Sequence, residues 1–167
     1  FFFYLYGDHL DLHYPVRRQR QMFIRDRWEK VALPTGPFGY NHNKYNHAVS
    51  ADFNGDGFKD VAVAITRDLP YYEGAYIQIL INNGSGILVD QTDTRFLNQV
   101  RVDSHHGEGN IYVRDMNKDG HPDIIHSTRD YQSGFHGAHI AINDGQGNFN
   151  SLNEDDLPMR PDSGSNN

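Results

Sequence analysis

The sequence predicts an all-β fold assembled from repeated four-stranded antiparallel units. Three observations carry that expectation: a segment of the chain occurs twice, each copy alternates short apolar runs with turn signals, and no long amphipathic helical pattern is present. His47 to Asp68, "HAVSADFNGDGFKDVAVAITRD", matches Asn110 to Asp130, "NIYVRDMNKDGHPDIIHSTRD", with Asp52 falling on Asp115, a shift of 63. Ile77 to Ile87, "IQILINNGSGI", matches Ala138 to Asn148, "AHIAINDGQGN", with Ile81 on Ile142, a shift of 61. The two positions lost between these matches point to deletions in loops.

Within the first copy, "AVSA" (Ala48 to Ala51) is the expected first strand. Val61 to Ile65, mostly β-branched, and Ile77 to Ile81 are the second and third, with the apolar density of strands buried on both faces. "ILVD", Ile87 to Asp90, is the fourth. "NNGSG" and "NDGQG" are hairpin signals, because Gly and Asn accept the positive φ that tight turns need. Four antiparallel strands recurring as a sequence unit describe β-propeller blades better than a sandwich, whose strands do not repeat in this way.

The expected organisation is a preceding blade's rear part and its connection over 1–46, one blade over 47–108, a second over 109–158, and a polar tail over 159–167. "FFFYLY" (Phe1 to Tyr6) and "MFIRDRWEKVALP" (Met22 to Pro34) are the expected third and fourth strands of the earlier blade. The sum is about two and a half blades, and propellers typically close with four to eight. Further blades of a longer chain, or self-association, are therefore expected to complete the structure.

Composition narrows the function classes. With 37% hydrophobic and 13% aromatic residues in 167, the chain has the means to bury a core. A net charge of -7 argues against nucleic-acid binding, which needs clustered Lys and Arg, and suits metal cations. The local run "VRRQRQMFIRDRWEK" reads as a charged strand face. The absence of Cys excludes thiolate metal sites and disulfides. No run approaches the roughly 20 apolar residues of a membrane helix, and "FFFYLY" is too short for a signal peptide's apolar region. The missing initiator Met points to a processed or excerpted chain.

The chemistry concentrates in "DFNGDGFKD" (52–60) and "DMNKDGHPD" (115–123). Asp52, Asn54, Asp56, Phe58 through its carbonyl, and Asp60 stand at positions 1, 3, 5, 7 and 9 of a calcium loop; Asp115, Asn117, Asp119, His121 through its carbonyl, and Asp123 repeat them. Calcium takes six to eight hard oxygens, and alternate residues of a tight loop converge them, with a glycine after the third ligand allowing the turn. An EF-hand needs Glu at position 12; here Val63 and His126 stand there, so Asp60 and Asp123 are the expected closing ligands. Three carboxylates within nine residues repel one another unless a cation neutralises them. Two Ca2+ sites are expected.

These acidic loops, each between strands and followed by "NNGSG" or "NDGQG", resemble FG-GAP/VCBS repeats, the blades of integrin α-subunit-type propellers. Phe38-Gly39 provides the "FG", further from the acidic loop than is usual and without the following "GAP". The resemblance implies calcium in the hairpin between a blade's first two strands, an extracellular or cell-surface location, and a noncatalytic role in adhesion, glycan or protein binding, or surface assembly. Its alternative is an accessory or partial domain of a polysaccharide lyase or hydrolase.

Other groupings are weaker. His105-His106-Gly107-Glu108, His136 with His139, and His9 with His13 are candidate zinc pairs, but they sit on loops and strands where helical spacing has no meaning. His121 and His126 read as exposed packing residues beside the second loop. "TRD" occurs twice, at Thr66 to Asp68 and Thr128 to Asp130, which favours a structural role such as an Arg bracing neighbouring loops. No GxSxG, P-loop or HExxH is present, and no catalytic residues are singled out. Asn83-Gly84-Ser85 fits the N-glycosylation pattern on an expected hairpin tip.

Overall fold

A computed structural model describes residues 33–39, 41–69, 73–99, 106–107, 109–130, 132, 134 and 136–152. The expected strands in "FFFYLY" and, but for Leu33 and Pro34, "MFIRDRWEKVALP" lie outside the described residues, as does the tail. The chain divides into two units, Phe1–Leu33 and Pro34–Asn167, and every element below belongs to the second.

Strands β1 (Asn43–Ala51), β2 (Asp60–Arg67), β3 (Glu73–Asn82) and β4 (Leu88–Asp90) form one antiparallel sheet in chain order. A four-residue helix, α1 (Thr92–Arg95), leads away from it. The second sheet holds β5 (His106–Gly107), β6 (Ile111–Arg114), β7 (Asp123–Asp130), β8 (His136–Asn143) and β9 (Phe149–Ser151). Both β5 and β6 pair with β7, so together they occupy the edge that β1 occupies in the first sheet. The described residues are thus all-β apart from α1, built of two blade-like antiparallel sheets that do not close into a ring.

The register confirms the repeat strand by strand. Ala64 faces Ile77 in the first sheet, and Ser127 faces Ala138 in the second, each residue displaced by the shift of its own segment. The two lost positions therefore come from the β2–β3 hairpin tip, where a loop shortens without disturbing the ladder. β1 is longer than expected, because its polar half, Asn43 to His47, gives no apolar signal and is held by pairing with β2. Its bulge between Tyr45 and His47 explains the gap between β5 and β6. At the equivalent Gly109, φ is +100°, and a Cβ would stand 1.6 Å from the Ser127 carbonyl oxygen. Only glycine fits there.

Each sheet has two faces, set by the period-2 alternation. The front of blade 1 carries Ala62, Ala64, Ile77, Ile79 and Ile81, and it packs with Phe53 and Phe96 against Ile111, Ile124, Ala141 and Phe149 on the rear of blade 2. Phe149 stacks edge-on to Phe53 with centroids 5.4 Å apart and touches Phe96 at 5.9 Å. Each such side chain contributes about 1.5–3 kcal/mol on full burial, so this seam is the main core. A smaller cluster, Val63, Ile65 and Leu80, lies on the rear of blade 1 with Phe38, Val61, Tyr76 and Leu88 beside it. β2 is accordingly buried on both faces, as its composition predicts.

Candidate metal centre

Both acidic loops join the first strand of a blade to the second, and their internal hydrogen bonds are the same. In loop 1 the Asp52 carboxylate accepts the N–H groups of Asp56 (3.1 Å) and Gly57 (2.8 Å). The Asp56 carboxylate accepts the Phe58 N–H at 2.8 Å and the Asn54 side-chain amide at 2.9 Å. In loop 2 Asp115 accepts from Asp119 (3.2 Å) and Gly120 (3.0 Å), and Asp119 accepts from His121 (2.8 Å) and Asn117 (2.7 Å). Gly57 and Gly120 have φ of +87° and +90°, the left-handed turn their position requires. The His121 N–H, with help from the Asn117 amide, holds the Asp119 carboxyl below the usual carboxylate range.

The ninth positions behave differently. Asp60 and Asp123 are each 0% exposed, and both oxygens of each receive a backbone N–H. Asp60 accepts from Phe53 (2.9 Å) and Asn82 (2.8 Å), tying the loop's start to the end of β3; Asp123 accepts from Met116 (2.7 Å) and Asn143 (2.9 Å). A buried carboxylate bonded in this way fixes the geometry of its loop whether or not it also touches an ion.

Asn82 and Asn143, which sequence reasoning passed over, complete the frame. Asn82 accepts the N–H groups of Gly84 (3.0 Å) and Gly86 (3.1 Å) and donates to the Lys59 carbonyl at 3.2 Å. Asn143 does the same with Gly145 (3.1 Å), Gly147 (3.0 Å) and the Pro122 carbonyl (3.1 Å), and it donates across the seam to the Phe53 carbonyl at 2.8 Å. The signal for both lay in plain view: an Asn preceding each hairpin glycine pair at the same repeat position. The seventh-position side chains lie on the same hairpins. A Cβ on Gly84 would meet the Phe58 ring at 3.1 Å, and one on Gly145 the His121 ring at 2.5 Å.

The donors present fit a hard cation in kind, since positions 1, 3, 5, 7 and 9 offer carboxylate, amide and carbonyl oxygens and no sulfur. A carboxylate oxygen that accepts one hydrogen bond keeps a second lone pair. Among the described residues, however, no three His, Cys, Asp or Glu side chains converge as a metal-holding cluster.

Comparison with family models matches residues 52–126 to an FG-GAP-like repeat. Over those residues the chain is similar to that family. The match starts on the first position of loop 1 and ends just beyond loop 2, so the matched stretch spans both acidic loops and the linker between the blades. No curated protein and no solved structure gives a significant match to the chain.

Several sequence expectations need correction. His126 is buried at 1% exposed, because it lies on the rear face of β7, between its register partners Ile111 and His139; only His121 is exposed. His136 and His139 point to opposite faces of β8 and do not form a pair. The two "TRD" motifs are out of register by one: Thr66 faces Ala75, whose counterpart His136 faces Arg129 rather than Thr128. A one-residue slip moves a side chain to the other face of a sheet. Arg67 therefore covers the Phe38 ring at 4.9 Å in an arrangement its namesake Arg129 does not share by position. The candidate pair His9 and His13, with His105 and Glu108, lies outside the described residues.

Proposed function

We propose that this chain is a calcium-binding, noncatalytic β-propeller segment that acts outside the cell or at its surface, in adhesion, glycan or protein binding, or surface assembly. The observation supporting it is the repetition of one loop geometry, oxygen donor for oxygen donor, at two equivalent points of an FG-GAP-like repeat. Ca2+ would be held by Asp52, Asn54, Asp56, the Phe58 carbonyl and Asp60 in one loop, and by their counterparts in the other. The ion would supply charge neutralisation, drawing together the exposed carboxylates that now bind only amide hydrogens. Extracellular calcium modules work at dissociation constants around 10⁻⁴–10⁻³ M, and the proposed extracellular location places these loops among them.

Calorimetric titration of the metal-stripped chain with calcium tests the reading. Two binding events are expected, with Asp52→Ala and Asp115→Ala each removing one. Because the ion binds only the folded loop, calcium at a hundred times its dissociation constant adds about 2.7 kcal/mol of stability and raises the melting temperature. No heat and no thermal shift in millimolar calcium would defeat the metal assignment.

A further inference from the structure

A cleft of about 540 Å³ lies where α1 and the residues after it meet the β8–β9 hairpin and β9. That volume falls within the usual range of small-molecule sites, about 300–1,000 Å³. Arg95, Leu97 and Asn98 line it from the end of blade 1, and Asn148, Phe149 and Asn150 line it from blade 2.

Two of these residues depart from the repeat. Under the shift of 61, Asn148 and Asn150 fall on Ile87 and Val89, and the ladder agrees, since Ile142 pairs with Asn150 as Ile81 pairs with Val89. All four side chains are exposed, so burial does not dictate the change. Where blade 1 carries two apolar side chains, blade 2 carries two amides, and it carries them beside the cleft.

The polar side chains are each held at one end. Arg95 donates from Nε to the Gln91 side chain at 2.7 Å and from Nη1 to the Gln146 carbonyl at 2.6 Å. Asn148 donates to the Asp144 carboxylate at 2.8 Å, and Asn150 accepts from the Asn98 amide, which itself accepts the Ser151 N–H at 3.3 Å. These bonds leave Arg95 Nη2, Asn148 Oδ1 and Asn150 Nδ2 without a protein partner among the described residues. The cleft thus offers donor, acceptor and donor on side chains already fixed in place, which lowers the ordering cost of binding. Leu97, 83% exposed, adds an apolar surface at the same cleft, and the ring of Phe149 lies behind it.

This combination selects by hydrogen-bonding type. A carboxylate or phosphate only accepts, so it would leave Asn148 Oδ1 unpaired and would meet the Asp144 carboxylate behind it. An ammonium only donates, and would face the Arg95 and Asn150 donors. A hydroxyl does both from one atom, and the C–H face of a sugar ring matches Leu97. We propose that this cleft is a subsite for one ring of a neutral carbohydrate, with Arg95, Asn148 and Asn150 bonding its hydroxyls. The inference rests on the noncatalytic binding role proposed above and not on metal, so calcium is held constant in its test.

The full chain, labelled with nitrogen-15, is titrated with glucose, galactose, mannose and N-acetylglucosamine, and with acetate and trialanine as the charged and peptide comparisons. At least one sugar should move the Asn148 and Asn150 side-chain amide resonances saturably, with a dissociation constant of about 1 mM, the order expected of so small a ligand. Asn150→Asp keeps the oxygen that Asn98 uses and removes the donors; it should weaken binding about tenfold, the factor of one ordinary hydrogen bond. Leu97→Ala should weaken it less, and both variants should keep the parent melting temperature, because both side chains are exposed. Val89→Asp, at the equivalent position of blade 1, should bind like the parent. The proposal is overturned if no sugar saturates these resonances, if acetate or trialanine binds in their place, if Asn150→Asp binds like the parent, or if Val89→Asp weakens binding equally. Loss of sugar binding with both calcium events intact defeats this inference alone; sugar binding without any calcium event upholds it and defeats only the metal assignment.

Discussion

Loop 1 and loop 2 share a residue pattern and an internal hydrogen-bond set, yet among the described residues only loop 1 has a roof. Blade 2 lays its β8–β9 hairpin over loop 1: Asn143 reaches the Phe53 carbonyl, and a Cβ on Gly147 would touch Asn54 at 3.2 Å. Loop 2 carries the same acidic residues with Met116 largely exposed beside them. The difference teaches that the nine-residue motif builds its own turn, while the neighbouring blade decides how firmly that turn is held. Local sequence sets the loop; the seam sets its rigidity.

The sharpest way to break this comparison is to empty the seam. Phe149→Ala removes the ring that touches both Phe53 and Phe96, and it should destabilise the protein by about 3–5 kcal/mol. Leu88→Ala, at the equivalent position of blade 1, removes a half-buried side chain and should cost about 1 kcal/mol. Urea denaturation measures both. Equal losses would mean that the rear faces of the two blades are equally covered, contrary to the asymmetry described here.

A finer cut uses the paired asparagines. Asn143 is fully buried and makes four hydrogen bonds, one of them across the seam, so Asn143→Ala should cost about 2–4 kcal/mol by leaving buried backbone groups unpaired. Asn82→Ala loses the three bonds within its own blade, where water can replace them, and should cost about 1 kcal/mol. Their difference approximates what the bond to Phe53 adds. A difference near zero would remove Asn143 from the role of fastener between blades.

The sequence made some of this visible and hid the rest, for reasons that particular residues show. The repeat, the acidic loops and the Asn-Gly and Asp-Gly hairpins are local patterns, and local patterns fix turns and strands. The polar half of β1 gave no apolar alternation, because it is an edge strand held by backbone pairing. Asp60 and Asp123 looked like the last of a row of ligands; that each staples two strands depends on an N–H from the end of β3 or β8, distant in sequence. His126 read as a surface residue for a like reason, since its place on the rear face of β7, between Ile111 and His139, follows from strand pairing distant in sequence. The repeated "TRD" misled in the opposite sense: identical letters sit one register position apart, and strand register is invisible until the partner strand is known.

The smallest effect separates the two hairpin turns by a single atom type. Asn83 in blade 1 and Asp144 in blade 2 occupy the same turn position, and each accepts N–H groups from two and four residues further along the chain. Asp144 also accepts the Asn148 side-chain amide at 2.8 Å. Slight burial pushes the Asp144 carboxyl up, but these hydrogen bonds outweigh it and leave the group below its ordinary range. A carboxyl whose folded value lies below its unfolded one stabilises the fold above the unfolded value, and that stabilisation is lost as pH falls through the folded value. Asp144→Asn should therefore leave the turn intact, as Asn83 shows an amide can, while flattening the acid side of the stability profile. Because the group is mostly exposed, solvent screening keeps the change to a fraction of 1 kcal/mol, roughly the scale of a surface charge interaction. Melting temperatures of parent and variant, compared from neutral pH down to the carboxylate range, should converge as the pH falls. A constant offset at every pH would show that the turn depends on shape alone and that the charge of Asp144 adds nothing to blade 2 that Asn83 does not give blade 1.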